Sequence, residues 1–138
     1  FSVKGVGGHY IPQQHHRKRR LSFFKRTSRF LQNNSHLSMF GSAEGVHPHR
    51  HAIAPFNRGV FHLAMAAKRN LVLLYIHMPG DIVTTKLKNA KGGVLKLEIL
   101  QTVDTSNWQL ENLETHIENI RAVYVNRFNQ LNPNDPTQ

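Results

Sequence analysis

Apolar and polar positions along the chain alternate between two periods. Leu21, Phe24, Ser28 and Leu31 recur at helical spacing, while Lys25, Arg26 and Arg29 point elsewhere; residues 17–32 are therefore predicted to form a basic helix. Asn33 and Asn34 suit its end, because Asn tolerates the left-handed conformation of a helix cap. Residues 58–68 carry Phe61, Leu63, Ala64, Met65 and Ala67 for burial and read as a second helix. Residues 71–77 are apolar throughout, as expected of a strand covered on both faces inside an α/β sheet. Residues 94–100 alternate, with Lys96 and Glu98 interrupting Leu97 and Ile99, the mark of a half-exposed strand. A long last helix carries Leu110, Leu113, Ile117, Ile120, Tyr124, Phe128 and Leu131 in one stripe, with Thr105 or Ser106 expected as its cap.

The segments between are weaker. Residues 1–16 read as loop around Gly5, Gly7, Gly8 and Pro12, with a short strand at 9–11. Residues 35–40 are a short strand candidate, residues 41–56 a polar, His-rich loop, and residues 81–85 a weak strand. Helices alternate with strands, so the class is α/β, with a mixed central sheet and flanking helices. The 138 residues make one domain over 1–132, followed by a tail at 133–138 that Pro133 and Pro136 keep out of the last helix.

Composition adds three constraints. No apolar run approaches the roughly 18 residues of a membrane-spanning helix. Without cysteine, the chain has no disulfide, no thiolate-held zinc and no thiol nucleophile, which is compatible with a reducing compartment. The net charge of +10 is concentrated: residues 1–59 hold ten Lys or Arg against the single acid Glu44, and residues 60–138 hold eight against seven acids. Such a local excess points to an anionic partner: a phosphorylated small molecule, an anionic lipid surface or nucleic acid.

The polar loop carries the chemistry. It runs Phe40-Gly41-Ser42-Ala43-Glu44-Gly45-Val46-His47 and closes with Pro55-Phe56-Asn57-Arg58-Gly59 before the helix Val60-Phe61-His62-Leu63-Ala64. Downstream, Val103-Asp104-Thr105-Ser106-Asn107-Trp108 precedes the last helix. This combination resembles the glycerolipid acyltransferase family, the 1-acylglycerol-3-phosphate acyltransferases and their relatives. Their signature is Phe-Pro-Glu-Gly-Thr-Arg, then after a spacer Pro-Phe-Lys-Arg-Gly and a helix, then Pro-Ile-Asp-Thr. The interval from Glu44 to Pro55 is the family's usual one, and the likeness extends over most of the chain from about Gly7.

The resemblance implies acyl transfer from a thioester to the free hydroxyl of a lysophospholipid such as lysophosphatidate. The donor would be acyl-coenzyme A or an acyl carrier protein, with no other cofactor, at a membrane surface on the cytoplasmic face. Glu44, Gly45, His47 and Arg58 would be the acceptor-binding residues. Gly45 would allow a tight turn, and His47, standing where the family has Arg, would offer the phosphate a single donor, stronger when protonated. The family's catalytic His-x4-Asp pair is not present: the first Asp is Asp81, and five residues before it stands Ile76. The pair is expected upstream of Phe1, so the full-length protein is expected to be the enzyme and this chain alone to be inactive. Gln13, Val46, His47, Asn70 and Leu73 also depart from the family pattern, which leaves a noncatalytic lipid- or partner-binding relative as an alternative.

Two other patterns compete. His47, His49 and His51 alternate and could gather on one side of an extended segment as metal ligands, but only Glu44 is near to complete them, so a solvated loop is the first reading. The run His15-His16-Arg17-Lys18-Arg19-Arg20 resembles a nucleic-acid or nuclear-targeting patch, a reading ranked behind anionic lipid headgroups. Phe23, Phe24 and Phe30 are assigned to core packing before membrane insertion.

Overall fold

The computed structural model of the chain describes residues 15–44, 52–77 and 94–133, and in them a small α/β fold forms with three helices and a two-stranded antiparallel sheet. The order is α1 (Arg17–Asn33), α2 (Arg58–Ala67), β1 (Leu71–His77), β2 (Lys96–Val103), a 3-10 turn (Leu110–Asn112) and α3 (Leu113–Leu131). The expected strands at 9–11 and 81–85 lie outside the described residues.

Helix α2 is the hub. Phe61, Leu63, Ala64 and Ala67 are buried on it, and its ends need no side-chain caps. Lys68 closes it in the left-handed conformation at φ 50°, so that the N–H groups of Lys68 and Arg69 reach back to the carbonyls of Met65 and Ala64. That paired closure satisfies carbonyls that would otherwise be orphaned at the helix end. Asn70 then leads straight into β1.

One core gathers Phe61 of α2, Leu73 of β1 and Leu113, Ile117 and Ile120 of α3. The spacing of the last three, i, i+4 and i+7, is what holds α3 on the sheet, each buried side chain contributing about 1.5–3 kcal/mol. A second cluster joins Leu31 of α1 to Leu63 and Ala67 of α2. Glu98 and Arg127 tie β2 to α3 at 2.8 Å.

The sheet pairs Leu71 with Val103 and His77 with Lys96, with an irregularity after Leu73 that leaves Leu100 as an extra residue on β2. Leu73 and Tyr75 face the core. Val72, Ile76, Leu97 and Ile99 stand on the other face, exposed by 56%, 43%, 65% and 66%. The expectation that β1 is covered on both faces is therefore corrected: α2 and α3 pack on one side of the sheet, α1 packs on α2, and no described element covers the other side.

Three more expectations change. Residues 35–40 form no strand, because no ladder partner lies beside them among the described residues; a turn at Ser35 and His36 ends α1 instead. Along α1 the buried positions are Phe23 and Leu31, while Leu21 is exposed and Phe24 half-buried. Thr105 does not cap α3. It is 1% exposed and its hydroxyl donates to the Arg69 carbonyl at 2.9 Å, so it fastens the end of β2 to the end of α2. Ser106 instead donates through its N–H and its hydroxyl to Asp104, a local turn.

Candidate functional site

The two halves of the polar loop are clasped together. The Asn57 N–H donates to the Ala43 carbonyl at 2.7 Å, and the Asn57 side-chain amide donates to the Glu44 carbonyl at 2.8 Å. The Ala54 N–H donates to Glu44 Oε1 at 2.8 Å. Arg121 of α3 reaches the carbonyls of Ile53 and Ala54 at 2.9 and 3.2 Å. Phe56 anchors the clasp, stacking on Phe61 at 6.0 Å and meeting Tyr124 edge-on at 5.5 Å. Glu44 and the segment from Pro55 to Gly59, distant in sequence, thus belong to one unit seated on the core. The Glu44 carboxylate takes part by accepting a backbone N–H. Burial pushes the phenols of Tyr75 and Tyr124 above their usual range, and the Glu44 charge adds to this.

Beyond the clasp, α1 and α2 enclose a groove of about 630 Å³, within the usual range of small-ligand sites at about 300–1,000 Å³. Its rim carries Arg17, Arg20 and Lys25 of α1 and Arg58 of α2; its apolar wall is Leu21, Phe24, Leu63 and Ala66. Among the described residues no carboxylate lines it. Close approach of the helices at this point depends on Gly59, where a Cβ would stand 3.0 Å from Phe24 Cζ. Arg20 lies over the Phe24 ring, its guanidinium carbon 5.6 Å from the centroid. Arg58 also pairs with Glu114 of α3 at 2.5 Å, in a half-exposed setting that keeps the pair weak. His62 lines the groove, and burial first, then Arg58, holds its imidazole below the usual 6.5, with Glu114 opposing.

Of the expected site residues, Glu44 and Arg58 are placed: Glu44 in the clasp, Arg58 directly after it and on the groove rim. Gly45 and His47 lie outside the described residues, as do His49 and His51. Among the described residues no group of three His, Asp or Glu could hold a metal, and no helix is long and apolar enough to cross a membrane. Arg17 and Arg20 come from the basic run at residues 15–20, whereas Lys25 and His62 are site candidates that the sequence reading did not single out. Leu21, Phe24 and Ser28 of the apolar stripe line the groove beside them, and Phe24 also packs against the Leu31, Leu63 and Ala67 cluster. No protein-family model, curated protein or solved structure matches the chain.

Proposed function

We propose that this chain is the acceptor-holding part of an acyltransferase that moves an acyl group from a thioester to the free hydroxyl of a lysophospholipid, with lysophosphatidate as the type acceptor. The observation that carries the reading is the groove beside the Glu44 clasp. It joins a cationic rim, including the motif residue Arg58, to an aliphatic and aromatic wall, the two halves of a single-chain phosphorylated lipid. Arginine forks suit a phosphate monoester, while Leu21, Phe24 and Ala66 offer apolar surface to the first part of the alkyl chain.

In this reading the acceptor hydroxyl loses its proton to a His held by an Asp, a pair that these 138 residues do not carry. The hydroxyl oxygen then attacks the thioester carbonyl, and the thiolate of coenzyme A or of an acyl carrier protein leaves. The exposed apolar side of the β1–β2 ladder supports a second layer of helices laid against Val72, Ile76, Leu97 and Ile99, with the further strands of a mixed sheet added at its edges. Work at a membrane surface on the cytoplasmic face belongs to the same proposal.

The test is acyl transfer by the gene product read from its natural start. Radiolabelled acyl-coenzyme A and lysophosphatidate are supplied, and phosphatidate is measured. Transfer is expected, falling more than tenfold in Arg58→Ala, while residues 1–138 alone give none. A product that binds lysophosphatidate without ever acylating it, with either class of donor, is instead the noncatalytic lipid-binding relative that Val46 and His47 suggest.

A further inference from the structure

The face of α1 turned away from α2 has no part in the clasp and meets the groove only at its border, through Lys25 and Leu21. Seven of the 17 residues of α1 are Lys or Arg, and none is Asp or Glu. At about 100° per residue, Lys18, Ser22, Lys25 and Arg29 fall on one line of the helix, opposite Leu31, which packs on α2. Arg19 and Arg26 stand beside that line, and all of these side chains are exposed. Among the described residues no carboxylate pairs with Lys18, Lys25 or Arg29. Leu21 and Phe30 flank the line on its two sides, exposed by 62% and 55%. The first turn carries Arg17, Lys18, Arg19 and Arg20 with no acid and no side-chain cap, so four cations sit at the positive end of the helix dipole. That placement is locally unfavourable, and an anion brought close to the first turn would relieve it.

We propose that this face of α1 docks on the anionic surface of a lipid bilayer, the cations meeting headgroups and Leu21 and Phe30 dipping to the acyl boundary on either side. A bilayer is favoured over a nucleic acid because the cationic line is bracketed by two large exposed apolar side chains, one of them aliphatic, which gain nothing from a phosphate backbone but do gain from the acyl boundary. The adsorption needs no acyl donor and does not depend on transfer.

The experiment is co-sedimentation of residues 1–138 with vesicles of phosphatidylcholine alone and of an equimolar mixture with phosphatidylserine, at low and raised salt. Binding is expected to the mixed vesicles only, and to weaken with salt. Each cation near such a surface is worth about fivefold in partitioning, so the triple variant Lys18→Gln, Lys25→Gln, Arg29→Gln is expected to lose about a hundredfold. Phe30→Ser, with helix content unchanged by circular dichroism, is expected to lose several-fold. Equal binding of both vesicle types, an undiminished triple variant, or displacement of the protein from vesicles by duplex oligonucleotide at equal phosphate concentration overturns the proposal.

Discussion

Arg69 holds three parts of the chain in register, and its removal gives a direct measure of that role. Its guanidinium donates to the carbonyls of Leu31, Asn34 and Ser35, at 2.5, 3.0 and 3.1 Å, closing the C-terminal end of α1 from outside the helix. Its own N–H completes the end of α2, and its carbonyl accepts the Thr105 hydroxyl. Hydrogen bonds from a charged donor are worth about 1.5–3 kcal/mol each. The site is only partly buried, so the carbonyls regain water on truncation, and Nε is buried without a partner. Discounting for both, Arg69→Ala is expected to cost about 3 kcal/mol, or roughly 10 °C in melting temperature for a chain of this size. Arg69→Lys, a point donor without the fork, recovers about a third of it. Urea unfolding followed by far-UV circular dichroism gives the loss, and amide exchange in the last turn of α1 locates it. A loss under about 0.5 kcal/mol, typical of an unremarkable surface change, refutes the bracing role.

Thr105→Val keeps the shape of the buried side chain but leaves the Arg69 carbonyl without its hydroxyl donor; about 1–2 kcal/mol is expected to be lost in urea unfolding, and Thr105→Ser is expected to keep the bond. Gly59→Ala sets a gain in helix propensity of roughly 1 kcal/mol against overpacking of about 1–3 kcal/mol where the new Cβ meets Phe24, for a net loss of about 1 kcal/mol and weaker lipid binding through a displaced Phe24. Because the folded-state pKa of His62 lies below 6.5, the unfolded chain protonates first as pH falls. The His62 contribution is present above pH 6.5 and is lost as pH drops from 6.5 through the folded value; His62→Gln is expected to flatten that part of the stability profile.

Local patterns carried the elements well where one period ran unbroken. The apolar run at residues 71–77 became β1 without a shift, and the helices around Leu31 and Phe61 start where their periodicity starts. At residues 35–40 the apolar positions Leu37 and Met39 alternate as a strand would. Alternation cannot supply a neighbouring strand, and the described chain offers none there. The last helix begins at Leu113, after a 3-10 turn that still keeps Leu110 near helical phase, so the stripe alone overextended it. At the site, the spacing from Glu44 to Pro55 was legible only as a resemblance, and the closure that Asn57 supplies between the two ends of the loop was not foreseen. The groove was not legible in that way. It exists because Gly59 lets Phe24 approach α2, a tertiary contact between residues 35 positions apart in sequence.

The most direct test of the account is titration calorimetry of residues 1–138 with lysophosphatidate below its micellar concentration, beside lysophosphatidylcholine and inorganic phosphate. Ala66→Glu places a carboxylate on the groove wall at an exposed helix position, where it leaves the fold intact. Saturable one-to-one binding of lysophosphatidate is predicted, at least tenfold weaker with the choline headgroup, with phosphate alone, and in Ala66→Glu. Equal affinity for both lipids, or an Ala66→Glu variant that binds as well as the original chain, contradicts it.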